Sequence, residues 1–229
     1  MDPFRRGLND SIALSSSAIP FGLLFGTLAQ STGFSNFEAI LVSALVFAGS
    51  AQFAFLEAVS TSSSLLAICV TIVALNARYG LYSASLASEL SRFSKAQRAA
   101  ALHLVVDPMW AFAEKERRVS DRLTASYYLG AGGPYFAAWV GSTAIGYQAG
   151  SLFSEQALTN SKYFLPFFFA AMMFKFKSAN KFVLLACGAL VASSLGYSLL
   201  GAPWHVFCGV GFAIVWSIGS KLITVANLS

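Results

Sequence analysis

Charge is scarce in this chain. Only 11% of its 229 residues are Asp, Glu, Lys or Arg, against about 25% in an ordinary soluble domain. Combined with the chain's high apolar content, that excludes a disordered chain and argues against a nucleic-acid binder or a typical cytosolic enzyme. Cysteine is rarer still, with three copies in no motif spacing, so neither a disulfide framework nor a metal site is expected. Cys69, Cys187 and Cys208 lie inside apolar stretches and read as small buried side chains. His103 and Asp107 alone are too few for a zinc site, no other His or Cys has ligand spacing, and His205 reads as an interfacial side chain beside Pro203 and Trp204. The phosphate loop GxxxxGK[ST] is missing, so the chain is not expected to hydrolyse ATP itself. GxSxG and HExxH are missing too, which weakens intramembrane hydrolysis. No enzyme chemistry and no cofactor are called for.

What the chain has in quantity is apolar surface. It is 56% hydrophobic, with a mean hydropathy of +0.65. Apolar segments run approximately over 12–30, 39–59, 65–88, 99–113, 124–149, 163–176, 182–200 and 203–220. None alternates with the period of a barrel strand, and lipid cannot satisfy an open backbone, so the segments are helices. The expected fold is an all-α polytopic membrane protein with about seven or eight hydrophobic helical segments, broken or half-length helices among them.

The few charges are unevenly placed. Residues 11–88 carry only Glu38, Glu57 and Arg78, and residues 123–229 carry six. Residues 89–122 carry twelve. One membrane domain is therefore expected, with a first helical half over 1–88, a basic linker with a short apolar element over 89–122, and a second half over 123–229. The net charge of +5 reflects topology and contact with anionic lipid, not nucleic acid. Arg5 and Arg6 put the N-terminus inside, and the 31–38 stretch, which carries no positive charge, lies outside. Arg117, Arg118 and Arg122, then Lys175, Lys177 and Lys181, and finally Lys221 mark inside positions. Both termini are thus expected in the cytoplasm. The first apolar run reads as an uncleaved helix, not a signal peptide.

Two readings of the middle stand. If 65–88 crosses as one helix, Arg92, Lys95 and Arg98 fall outside and 99–113 must cross as well. If 65–75 and 79–88 are half-helices broken at NARYG, those residues stay inside. The 99–113 stretch gives roughly 22 Å of helix against a core of roughly 30 Å. It also contains Asp107-Pro108, so it reads as a short, partly inserted element. A weak internal echo links SSAIPFGLLFG at 16–26 with GAGGPYFAAWVG at 130–141, two segments expected to run in parallel.

Arg78 is the sole basic residue between Ser11 and Ser88. A charge at mid-membrane costs about 2.5–3.5 kcal/mol on insertion scales, so it needs a partner or a wet cavity. Asn76, Tyr79 and Tyr82 lie nearby, with Gly80 as a candidate break. Asp107 follows His103 at the i+4 position. It can pair with Arg78, bind a substrate amine, take up a proton, or simply start a turn before Pro108. Gln52 sits in FAGSAQF, where Gly49, Ser50 and Ala51 permit close helix approach. The glycines of GSTAIGYQAG at 141–150 read as helix packing.

These motifs, in the order PFGLLFGTLAQSTGFSNFEAILVSALVFAGSAQFAFLEAV, NARYGLYSASLA, LVVDPMWAF, YYLGAGGPYFAAWVGSTAIGYQAG and YFLPFFFAAMMF, resemble the AzlC family. These are the large subunits of branched-chain amino-acid exporters. The resemblance implies a bacterial inner-membrane secondary transporter working with a small AzlD-like membrane subunit. It assigns substrate-binding or coupling roles to Gln52, Asn76, Arg78 and Asp107, with Tyr79 beside them. Two departures stand out. Tyr79 replaces a frequent family histidine, and Pro108 replaces the second acid of a usual Asp-Glu pair. The expected substrate is a branched-chain or similar apolar amino acid, with a proton gradient as the energy source. The alternatives are a passive channel or exporter for another small solute, and a structural subunit.

Overall fold

The structure, a computed structural model, describes residues 2–60, 62–120, 122–152, 182–201 and 204–226, with side chains described as far as residue 219. The apolar run 163–176 and Lys175, Lys177 and Lys181 lie outside the described residues, as does the side chain of Lys221. All regular structure among the described residues is helical. The chain divides into two compact units, Met1–Ser62 with Leu75–Thr159, and Ser63–Ala74 with Asn160–Ser229.

The first unit is built on a parallel helix pair. The short α1 (Pro3–Asp10) leads into α2 (Ile12–Ser31), and both lie along α9 (Ala125–Gly150). Small residues allow the approach. A Cβ on Gly26 would fall against the carbonyl of Thr143, and one on Gly146 against that of Leu23. The Thr27 hydroxyl donates to the Gly146 carbonyl at 3.0 Å. The two segments of the sequence echo therefore run in parallel and pack together.

Between α2 and α9 the chain makes two half-length hairpins. The first is α3 (Asn36–Val46) and α4 (Gly49–Ser60). A capping box starts α3, with Ser35 and Glu38 each satisfying the other's backbone N–H. The helix stops at Phe47, which adopts the left-handed conformation at φ 42°. That costs about 1–2 kcal/mol in a non-glycine residue. Burial of the ring against Tyr135, Phe136 and His103 offsets it.

Depth along the α2–α9 pair fixes the path. Ser43 bonds Thr143, and Phe47 then reaches the level of Tyr135. On the return, Gln52 meets Trp139, Phe53 meets Phe25, and Phe55 meets Phe34, just beyond the end of α2. The segment 39–59 is thus a re-entrant hairpin that turns back at Phe47, not one crossing helix. At 11 and 12 residues, each leg gives about 16–18 Å, half of a bilayer core.

The next helix, α5 (Leu65–Ser85), runs unbroken through Gly80, so of the two readings the one with half-helices broken at NARYG falls. A single glycine costs a helix only about 1 kcal/mol, and 21 continuous residues offset it. Then follow α6 (Ala87–Leu90), α7 (Lys95–His103) and α8 (Asp107–Ser120). Ser94 and Gln97 form a second capping box at the start of α7. Pro108 cannot continue that helix, because it lacks an N–H and its ring clashes with the fourth carbonyl before it. The chain breaks at Leu104–Val106, and α8 starts at Asp107 with proline in its first turn, where proline is favoured.

This second hairpin points the opposite way. His103 stacks on Phe47 at 5.8 Å. Then α8 descends until Phe112 stacks on Tyr127, and Glu116 pairs with Arg6. The two hairpin tips therefore meet at mid-depth from opposite ends. Both sequence readings of the middle assumed that 39–59 crosses. Because it does not, an unbroken α5 returns the chain to the arginine-rich end. Arg92 lies just before α7, and Lys95 and Arg98 lie in its first four residues, at the end of the unit that carries Arg6 and Arg117.

In the second unit, α10 (Phe182–Leu200) and α11 (Trp204–Ala226) pack as an antiparallel pair. Gly188 fits against Phe212 and Gly196 against Cys208. The helices Ile12–Ser31, Leu65–Ser85 and Phe182–Leu200 are long and apolar enough to cross a bilayer. The three cysteines are free, but Cys69 and Cys187 are exposed and Cys208 is half-buried. They were expected in a core. Helices facing lipid carry apolar residues on their outer faces, so apolar flanks do not imply burial there.

Candidate functional site

The centre of the first unit, where the hairpin tips converge, holds an ion pair. Arg78 projects from α5, and its Nη2 lies 3.1 Å from Asp107 Oδ2. The same nitrogen donates to Ser50 Oγ at 2.6 Å and to the Tyr79 hydroxyl at 3.4 Å. The Tyr79 ring also lies 5.2 Å from the guanidinium carbon, within cation–π range. On the other side, the Tyr82 hydroxyl donates to Asp107 Oδ1 at 2.9 Å. The pair therefore joins three elements: α5 through Arg78 and Tyr82, α4 through Ser50, and α8 through Asp107.

Local structure explains the placement. Arg78, Tyr82 and Ser85 follow at four- and three-residue spacing, which puts them on one face of α5. Asp107 and Trp110 are one turn apart on α8. Tyr82 stacks on Trp110 at 4.6 Å and 13°, and the Trp110 indole donates to Ser85 Oγ at 2.8 Å. Arg117 then donates to the Ser85 carbonyl. The two helices are thus linked by polar and aromatic side chains from mid-depth to the arginine-rich end.

Electrostatics favour an anion here. Ser50 and Asp107 lie in the first turns of α4 and α8, so two helix N-termini face the centre. Each carries roughly half a positive charge on N–H groups that lack intrahelical acceptors. Together with Arg78 they outweigh the single carboxylate of Asp107. The pair is partly exposed, with the side chains of Arg78 and Asp107 34% and 43% exposed.

Of the residues expected from sequence, Arg78, Tyr79 and Asp107 come together. Gln52 is almost fully buried on α4, where its Oε1 accepts the Trp139 indole N–H at 3.1 Å. Its Nε2 has no partner among the described residues, and neither has Asn76 Oδ1. No described contact joins Gln52 or Asn76 to the ion pair. His103 and Asp107 do not share a helix face, because the break at Leu104–Val106 separates them. His205 sits edge-on to Tyr197 in the second unit. Ser50 and Trp110 were not singled out as site residues. Ser50 reads as a packing residue in a small-residue run, and only the reversal at Phe47 brings it to Arg78. Among the described residues no cluster of His, Cys, Asp or Glu is arranged to hold a metal ion.

A family model described as AzlC protein matches residues 13–153, which takes in both hairpins and the ion pair. The chain is 29% identical over 212 residues to the inner membrane protein YgaZ of Escherichia coli (strain K12), covering 90% of this chain and 86% of that protein. It is 37% identical over 149 residues to an uncharacterized membrane protein of Archaeoglobus fulgidus, covering 65% of this chain and 63% of that protein. No solved structure matches the chain.

Proposed function

Because the chain belongs to the AzlC family of membrane proteins, we propose that it is a secondary transporter that exports branched-chain or similar apolar amino acids across the inner membrane. The observation that carries this reading is the Arg78–Asp107 pair at the meeting point of two half-length hairpins. A zwitterionic amino acid presents one carboxylate and one ammonium. It can exchange this single internal pair for two, with its carboxylate on Arg78 and its ammonium on Asp107. Half-helix N-termini at mid-depth are a recurrent way to receive an anionic substrate group.

The surroundings fit an apolar side chain. Tyr79, Tyr82 and Trp110 place aromatic rings beside the pair. One methylene changes binding by only about 1–3 kcal/mol, so valine, leucine, isoleucine and methionine share the site. Gln52 and Asn76, each with a buried polar atom to spare, supply further polar contacts as the hairpins move. Asp107 carries a proton in exchange for the substrate ammonium, which couples export to the proton gradient. Each charge moved is worth about 2.3 kcal/mol per 100 mV. A small AzlD-like subunit completes the transporter, and both termini lie in the cytoplasm.

Cells lacking their own export systems, loaded with a leucine- or valine-containing peptide, provide the test. Expression of this chain with its small subunit should speed release of leucine, valine, isoleucine and methionine, and leave lysine and glutamate release unchanged. Substrate should also drive proton flux in liposomes. Release no faster than in empty cells for all four apolar amino acids would overturn the reading.

A further inference from the structure

We infer that Ser50, at the tip of the first hairpin, is a positioning residue that makes Arg78 a two-point receptor for the substrate carboxylate. This rests on the amino-acid reading of the same site. The described hydrogen bonds and ion contact of the Arg78 guanidinium, from Ser50, Asp107 and the Tyr79 hydroxyl, all converge on one nitrogen, Nη2. Its Nε is buried and has no partner among the described residues. A guanidinium offers parallel N–H groups that match a planar carboxylate bidentately, and the Nε–Nη2 edge is used at only one of its two positions. A buried N–H left without a partner is costly, so an incoming carboxylate that takes Nε and Nη2 together relieves that cost.

The exchange requires Asp107 Oδ2 to leave Nη2. Asp107 need not leave the site, because its Oδ1 stays on the Tyr82 hydroxyl. Arg78, however, loses at that moment the one charged side chain that pairs with it among the described residues. Ser50 Oγ, at 2.6 Å, is the contact that holds it on the hairpin tip. The hydroxyl is neutral, so it holds the guanidinium without competing for its charge. A lysine in place of Arg78 keeps a charge for Asp107 but has no planar edge.

The experiment compares acid and amide forms of the same side chain. Binding to the purified transporter with its small subunit is measured for leucine and leucinamide, phenylalanine and phenylalaninamide, and alanine and alaninamide. The native protein should favour each bound acid over its amide. Ser50→Ala should cut the acid-to-amide ratio about tenfold, Ser50→Thr should restore it, and Arg78→Lys should cut it as far. Affinity for the amides should barely move, which a general packing defect would not produce. A native ratio near one, or an unchanged ratio in Ser50→Ala, overturns the inference while leucine binding leaves the transport reading in place. If Ser50→Ala is not recovered from membranes, an unchanged ratio in Arg78→Lys overturns it alone. Discrimination confined to another side chain keeps the inference and removes the branched-chain reading. No binding of any acid removes both.

Discussion

Arg78 stands out in the sequence because nothing apolar explains it. Its partner was legible as one of several options for Asp107, since a lone intramembrane cation needs an anion. What sequence could not give was the third member, Ser50, because its position depends on a left-handed turn at Phe47, a residue that rarely adopts one. Tyr82 was legible as a neighbour, one helical turn from Arg78, but its bond to Asp107 was not. That bond sets a prediction. Tyr82→Phe removes one hydrogen bond to a charged group, worth about 1.5–3 kcal/mol and less where water screens it. Export in peptide-loaded cells should show a KM for leucine raised severalfold, with the amount of protein in the membrane unchanged. An unaltered KM would remove Tyr82 from the site.

At the level of elements, the ends of α2, α5 and α9 follow from apolar length and flanking polar residues, and the sequence segments match them to within a few residues. The hairpins were hidden for a physical reason. Two apolar half-helices are as apolar as one crossing helix, so hydropathy over 39–59 cannot tell them apart. Pro108 was the visible signal for the second break, and Phe47 carries no equivalent signal. The α2–α9 contact gives a stability prediction. Gly26→Ala forces a methyl group against the Thr143 carbonyl, and overpacking of this kind costs about 1–3 kcal/mol. Gly141→Ala, on the same α9 helix, meets nothing within 4 Å and should be neutral or slightly stabilising. Melting in detergent should fall for the first variant and hold or rise for the second.

At the scale of the whole molecule, the basic side chains described in the first unit fit the path of the hairpins. With α3–α4 turning back, α5 returns the chain to the end that carries Arg6, Arg92, Arg98 and Arg117. Arg98 is fixed there by bonds to the carbonyls of Leu90 and Ser91. The labelling prediction is direct. In a background with Cys69, Cys187 and Cys208 replaced by alanine, Lys95→Cys should resist an impermeant thiol reagent added outside intact cells. Ser62→Cys, after the first hairpin, should react. The opposite pattern would mean that 39–59 crosses after all.

We propose that the Arg78–Asp107 pair between the two hairpin tips is where the exported amino acid binds. Leucine release from peptide-loaded cells expressing Arg78→Ala or Asp107→Asn, at matched membrane levels, tests it most directly. The predicted result is a loss of about tenfold or more in each variant, with no larger loss in the double variant, because both residues serve one site. Release at the native rate from either single variant would contradict the claim.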